Sequence, residues 1–234
     1  MSSVEKAFAV LEAVASRPGP VSLAEVTQAV RLSKPTVCRL LHQLEGLGYV
    51  ARAGGSRDYR IGPGVGRIGG GHDPYREIKA AARPLLRRLH GALNETVNLA
   101  VLEGTQVLYL DYIETTQPLR YILRPGESDP YHRTALGRAI AARLDPQAWA
   151  ALLALTPFAP GDRTPEAFAQ EIERCRREGI ATESGEAAEG VTCLALSLAP
   201  LGYPQAALSV AIPLQRLTPA LRERASAALH GLFG

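Results

Sequence analysis

Ser22-Leu23-Ala24-Glu25-Val26-Thr27-Gln28-Ala29-Val30-Arg31-Leu32-Ser33-Lys34-Pro35-Thr36-Val37-Cys38-Arg39-Leu40-Leu41-His42-Gln43-Leu44 is the stretch that decides the fold of the first third of the chain. Ser22 followed three residues later by Glu25 is a capping box, which satisfies the free amides of a helix start. Leu23, Val26 and Val30 then fall on one helical face. Arg31-Leu32 is a tight turn. Ser33 is placed to cap a second helix, with Lys34 and Pro35 in its first turn, where proline costs no hydrogen bond. Val37, Leu40, Leu41, Leu44 and Leu47 form the expected buried stripe, and Gly48 suits the left-handed residue that closes a helix. Upstream, Ser2 and Glu5 make another capping box. It opens a helix with Val4, Ala7, Phe8, Leu11, Val14 and Ala15 at helical spacing, which Pro18 is expected to end. A short helix, a turn and a longer helix are the helix-turn-helix layout.

The outward face of the longer helix carries Lys34, Thr36, Arg39, His42 and Gln43, with Ser33 at its entry. These side chains can reach base edges and phosphates in a major groove. Any amphipathic helix also has a polar outer face, so the face alone does not decide. The next residues do: 49–52 and 57–61 read as two short strands around Ala53-Gly54-Gly55-Ser56. A hairpin directly after such a helix is a wing, and Arg52, Arg57 and Arg60 are its candidate clamps on duplex DNA.

Charge agrees with this placement. Residues 1–71 hold nine Lys/Arg against five acids, while the remainder holds seventeen against eighteen, so the basic surplus lies wholly in the first third. The 234 residues suffice for two compact domains. No apolar run approaches the roughly 20 residues of a membrane span, and Met1-Ser2-Ser3-Val4-Glu5-Lys6 lacks the layout of a signal peptide. A cytoplasmic protein is expected. Cys38, Cys175 and Cys193 form no CxxC pair, and the five histidines have no ligand spacing, so neither a disulfide framework nor a metal site is predicted.

Residues 62–71 are glycine-rich, and each interior glycine disfavours a helix by about 1 kcal/mol relative to alanine. A partly unwound linker is expected over 63–73. Gly64-Val65-Gly66-Arg67-Ile68-Gly69 matches GxGxxG, but a dinucleotide site needs a preceding strand of a parallel sheet, and here the preceding strand belongs to a wing. No cofactor is predicted.

From 74 onward, helices and strands mix without a strict βαβ rhythm. Helices are expected at 74–93 (kinked or broken at Pro84), 134–143, 145–155, 164–178 and 218–232. Strands are expected at 96–102, 107–113, 120–123, 180–183, 192–198 and 205–212. The class is α+β: a winged helix-turn-helix domain over 1–62, then a mixed α/β domain over 74–234. No GxSxG elbow, HExxH or P-loop is present, so an enzyme is not expected. Tyr109, Tyr112, Tyr121 and Tyr131 lie near the expected sheet and are candidates to line a pocket.

An ordered set of motifs spans nearly the whole chain. It runs from Val21-Ser22-Leu23-Ala24-Glu25 through Leu32-Ser33-Lys34-Pro35-Thr36-Val37-Cys38-Arg39-Leu40-Leu41, Leu47-Gly48-Tyr49-Val50 and Tyr59-Arg60-Ile61-Gly62. It continues with His132-Arg133-Thr134-Ala135-Leu136-Gly137-Arg138-Ala139, Gly179-Ile180-Ala181 with Glu183 and Glu186, Gly190-Val191-Thr192-Cys193-Leu194-Ala195 and Ala207-Leu208-Ser209-Val210. The set resembles the IclR family of bacterial regulators. The resemblance implies a winged helix on duplex DNA, a GAF-like effector-binding domain, dimers through the DNA-binding domains that often pair into tetramers, and ligands that are small carboxylates or aromatic metabolites. It also implies a helix where this chain has its glycine-rich linker. By the same resemblance the effector contacts are the backbone of Ala135 and Leu136, then Glu183, Cys193 and Ser209. Ala211 stands where the family often has a serine, and Glu183 is longer than the aspartate sometimes found there. These departures leave room for a second expectation, a constitutive DNA-binding factor whose effector domain is degenerate. Arg133 replaces a usually small residue, and either points inward to an anionic ligand or lies outward.

Overall fold

The computed structural model describes residues 1–17, 19–54, 56–69, 73–121 and 123–233. Pro18, Gly55 in the wing turn, Gly70, Gly71 and His72 in the linker, and Ile122 therefore lie outside the described residues. The chain divides into two compact units, Met1–Asp73 and Pro74–Gly234.

The first unit contains α1 (Ser3–Ala15), α2 (Leu23–Val30), α3 (Lys34–Gly46), β1 (Val50–Arg52), β2 (Tyr59–Ile61) and α4 (Gly64–Gly69). Both capping boxes form, at Ser2 with Glu5 and at Ser22 with Glu25. Arg31 turns the chain between α2 and α3 at φ 52°, a left-handed conformation unusual outside glycine. Val10, Val14, Val21, Val26, Val37, Leu40 and Leu41 make the core. Val21 and Tyr59 exchange backbone hydrogen bonds of 2.8 Å in both directions, which ties the α1–α2 connection to the wing.

Four expectations for this unit change. Ser33 stands at the N-cap position of α3, but its hydroxyl bonds the Thr36 hydroxyl at 2.8 Å instead of a backbone amide. Leu47 is not part of the buried stripe: it follows the end of α3 and is 61% exposed. On α1, Val10 and Val14 face the core, whereas Val4 and Phe8 point outward. The linker keeps a helix over Gly64–Gly69 despite its glycines. The reason is close approach. A Cβ on Gly62 or Gly64 would lie 2.3 or 2.6 Å from the Gly48 carbonyl oxygen, while the amides of Gly62 and Gly64 donate to Tyr49 O and Gly48 O at 2.8 Å. These glycines dock the chain onto the turn that closes α3.

The second unit is built on a six-stranded antiparallel sheet in the order β5-β4-β3-β8-β7-β6, with β3 Thr96–Glu103, β4 Gln106–Ile113, β5 Ser128–Pro130, β6 Ala181–Ser184, β7 Val191–Ser197 and β8 Ala206–Pro213. Alternation along the strands gives its faces different sizes. Val97, Leu99, Val101, Leu194, Leu196, Leu208, Val210 and Ile212 pack under α5 (Arg76–Leu93) and α9 (Pro219–His230). The opposite face offers Ala100, Ala195 and Ala207 to α6 (Ala135–Ala141). Small residues let α6 sit close, and all seven of its residues are buried. Phe168 and Ile172 of α8 (Pro165–Glu178) and Leu152 of α7 (Pro146–Ala154) complete this layer.

The helix at Arg76–Leu93 runs unbroken through Pro84, which is exposed, so water can serve the carbonyl that loses its donor. No strand forms at the described residues of 120–123; the edge strand is Ser128–Pro130 instead. Pro118 precedes this segment and the Pro125-Gly126 turn separates it from the edge strand, with Gly126 at φ 93°.

Gly137 fixes how closely α6 approaches its own entry turn, because a Cβ there would lie 2.2 Å from the carbonyl oxygen of buried Tyr131. Helix propensity alone would make Gly137→Ala favourable by about 1 kcal/mol. The clash is with backbone and outweighs it, so Gly137→Ala is expected to lose about 2 kcal/mol net. Urea unfolding followed by Trp149, the only tryptophan, checks this in the unit that contains it. Unchanged or increased stability would show that the turn yields.

Candidate nucleic-acid interface and ligand cavity

The outer face of α3 presents Lys34, Arg39, His42 and Gln43 to solvent, with exposed Ser33 at its entry. Thr36 is half-buried and held by Ser33. Cys38 is exposed beside Arg39 and joins this face. Wing residues Arg52, Arg57 and Arg60 are all exposed but are not equivalent. Arg52 stacks 4.1 Å from the ring centre of Tyr59, its cross-strand partner. It also donates to Arg57 O at 2.7 Å and lies 3.5 Å from Glu45. Arg52 therefore braces the wing against α3, and Arg57 and Arg60 carry the charge outward.

In the second unit, Ala135, Leu136, Glu183, Cys193 and Ser209 all line one cavity between the sheet and the start of α6. Strand register explains the convergence: Glu183 pairs with Cys193, and Ser209 with Asn98. Asn98, Tyr109, Tyr121, Leu123, Thr134 and Ala187 complete the wall. Asn98 was missed, although a lone amide in the apolar run Val97-Asn98-Leu99-Ala100-Val101 was the signal for it. Tyr109 and Tyr121 line the cavity, whereas Tyr112 does not. Tyr131 instead packs edge-on to Phe168 and bonds Thr156 at 2.7 Å. Ala211 stands opposite Cys193 in the ladder and is not on the wall. Arg133 turns outward, at 3.2 Å from Asp162, which also holds buried His132 at 3.2 Å. The cavity has room for about one water molecule.

Glu183 is buried, and its Oε2 accepts from the amides of Glu186 at 3.0 Å and Ala187 at 3.5 Å. Its Oε1 has no partner among the described residues, nor has Asn98 Oδ1. Burial raises the Glu183 carboxyl above the usual range, although those two amides and Cys193 pull the other way. Burial and the neighbouring Glu183 also push the Cys193 thiol well up. Tyr121 is pushed up to about 12 by burial and by Asp129, and Tyr109 is raised by the same causes. Thiol and phenols are therefore neutral at neutral pH. A protonated, half-buried thiol is the opposite of an activated nucleophile.

Behind the wall sits Arg138, fully buried. It donates to His132 O from Nε at 3.1 Å and Nη2 at 3.0 Å, to Thr182 O from Nη1 at 3.0 Å, and to the Glu186 carboxylate. Arg163 meets the same carboxylate at 3.0 Å. Burial would raise Glu186, but the Arg163 and Arg138 guanidiniums outweigh it and hold the carboxyl below its ordinary value.

Residues 75–231 match the family model for the bacterial transcriptional regulator IclR C-terminal domain, and residues 3–54 match that for the IclR helix-turn-helix domain. The chain is 34% identical to a protein described as a probable transcriptional regulator, SauR of Cupriavidus necator, over 91% of this chain and 86% of that one. The crystal structure of the Thermotoga maritima IclR superposes with a TM-score of 0.77 at 25% identity, covering 98% of this chain and 95% of that one. An IclR homolog from Microbacterium hydrocarbonoxydans, solved in complex with 4-hydroxybenzoate, shares the fold with a TM-score of 0.72 at 22% identity, covering 99% of both chains.

Glu183 makes a pH-dependent prediction. Its carboxyl is raised in the folded chain, so the folded state binds the proton more tightly than the unfolded one, and the ionised form opposes folding as pH rises through the folded value. Glu183→Gln keeps an oxygen for the two amides and removes the charge. It is expected to stabilise the ligand-free protein by about 1 kcal/mol at neutral pH, with the gain shrinking as pH falls into the carboxylate range. Urea unfolding of both proteins across that range measures it; a loss of stability at neutral pH would contradict the assignment.

Proposed function

The chain belongs to the IclR family of bacterial transcriptional regulators, and from that premise we propose that it binds an inverted-repeat operator as a homodimer or tetramer and releases or tightens its hold when a small organic molecule enters the cavity of the second unit. In this reading residues 1–62 bind DNA, 63–73 link, and 74–234 sense the effector. The observation that carries it is the convergence of Ala135, Leu136, Glu183, Cys193 and Ser209 on one cavity, in a chain whose other unit exposes a basic face.

Lys34, Arg39, His42 and Gln43, with Ser33 and Thr36 at the helix entry, would meet bases and phosphates in the major groove, and Arg57 and Arg60 the backbone beside it. Arg52 would act mainly by holding the wing. Self-association is supported by an apolar surface on the first unit, where Phe8, Leu47 and Ile68 are 57%, 61% and 70% exposed beside Ala7, Leu11, Leu44 and Tyr49. Two copies joined there would present two α3 helices to half-sites about one helical turn apart. No helix among the described residues is long and apolar enough to cross a membrane, which accords with work in the cytoplasm. The relatives are regulators, and the neutral Cys193 thiol supplies no nucleophile, so the second unit is read as a sensor and not as an enzyme. The small volume of the cavity favours one alternative, a constitutive DNA-binding factor whose affinity no small molecule changes.

Selection of duplexes from a random pool by the purified protein tests the reading. It should enrich an inverted repeat whose affinity falls steeply with salt. Arg39→Ala should bind the enriched duplex at least about tenfold more weakly than the parent. Equal affinity for enriched and random duplexes would overturn the operator assignment. An operator affinity indifferent to every cavity ligand would select the constitutive factor.

A further inference from the structure

Arg31 closes α2 and turns the chain into α3 with left-handed backbone, at φ 52° and ψ 36°. Glycine takes this conformation without a steric penalty, and asparagine and aspartate tolerate it best among the other residues. Two described non-glycine residues have a positive φ, Arg31 and Asn94. Asn94 is of the tolerated type, and its side chain bonds Thr116 at 2.9 Å. Arg31 is not, and its exposed side chain makes no hydrogen bond or ion pair among the described residues. Nothing within the fold offsets the strain that an arginine brings to this turn. Strain that the fold itself does not use marks a functional position.

Position and charge say which function. Between Glu25 and Glu45 the chain carries Arg31, Lys34 and Arg39 and no acid. Arg17 and Arg52, by contrast, lie 2.9 and 3.5 Å from Glu25 and Glu45. In a helix-turn-helix the first helix crosses the DNA backbone and the start of the second enters the major groove. Arg31 stands at that junction, two residues before Ser33, so their Cα atoms are at most about 8 Å apart. We propose that Arg31 binds a DNA phosphate at the edge of the groove that α3 enters, a contact additional to those of α3 and the wing. This rests on the reading of the first unit as a DNA-binding domain. A guanidinium presents a planar fork that meets two phosphate oxygens at once, and an exposed, unpaired one gives up no ion pair to do so. A phosphate contact fixes register and carries no sequence information, so it acts on any duplex.

The test uses the full chain, its selected inverted-repeat duplex and a random-sequence duplex of the same length. Affinity is read by fluorescence anisotropy over a salt series, and Tm by thermal unfolding. Arg31→Gly and Arg31→Asn both suit left-handed backbone, so each should keep Tm or raise it, by up to about 5 °C. Each should nevertheless weaken both duplexes at least about threefold, and lower the slope of log affinity against log salt by about one per bound copy. Arg31→Lys keeps the charge and should restore most of that slope. A protein no less stable that holds DNA less tightly separates a phosphate contact from damage to the fold. Parental affinity and slope in both Arg31→Gly and Arg31→Asn would overturn the proposal and leave the operator reading intact. A loss confined to the selected duplex would contradict a phosphate contact, and weaker binding that tracks a lower Tm in both variants would make Arg31 a structural residue. If the parent binds neither duplex with salt-dependent affinity, the DNA-binding reading falls and this contact with it.

Discussion

The buried guanidinium of Arg138 is the constraint on which the second unit depends. A charge with no solvent exposure is tolerable only when its polar atoms find partners, and here two backbone carbonyls and a carboxylate reach all three guanidinium nitrogens. The consequences spread outward. His132 O fixes the turn that feeds α6, Thr182 O fixes β6 against that helix, and Glu186 draws in the loop between β6 and β7. Once Glu186 is held, its own amide and that of Ala187 fall within reach of Glu183 Oε2. The acid of the cavity is thus oriented by a network whose centre lies outside the cavity.

The sheet makes this arrangement possible. Large aliphatic residues on one face build the core with α5 and α9, and alanines on the other let α6 come close enough for Arg138 to span helix and edge strand. The cavity occupies the part of that close-packed face where Asn98, Ser209 and Cys193 replace alanine. The first unit divides its surface by the same logic. Val10 and Val14 of α1 go inward, while Val4 and Phe8 stay out on an apolar face that a second copy would cover in the proposed assembly.

Local rules made most of the fold legible in the sequence. Two capping boxes, the α2–α3 turn, the closing Gly48 and the hairpin are short-range signals, and the structure honours them. The misses are tertiary. Helical spacing could not tell which side of α1 or which end of α3 would be covered, so Phe8 and Leu47 read as core. Glycine propensity argued against a linker helix, because close approach to the Gly48 carbonyl is invisible without coordinates. The described part of 120–123 looked apolar and aromatic enough for a strand, yet it lies outside the sheet, and Tyr121 faces the cavity instead. Five cavity residues were named through family resemblance; Asn98 left a signal in its apolar run, but its place on the wall and the Arg138 network emerge only from the tertiary structure.

If Arg138 organises the second unit, its pairing with Glu186 must be energetically coupled, and a double-mutant cycle measures that coupling. Arg138→Met, Glu186→Gln and the double variant are unfolded in urea at neutral pH. Removing one partner of a buried ion pair costs about 3–5 kcal/mol because the other charge is stranded, so the double variant should be more stable than the sum of the two losses implies, by at least about 1 kcal/mol. Strictly additive losses would mean that the two side chains do not depend on each other, and that the cavity is held by something other than this buried charge.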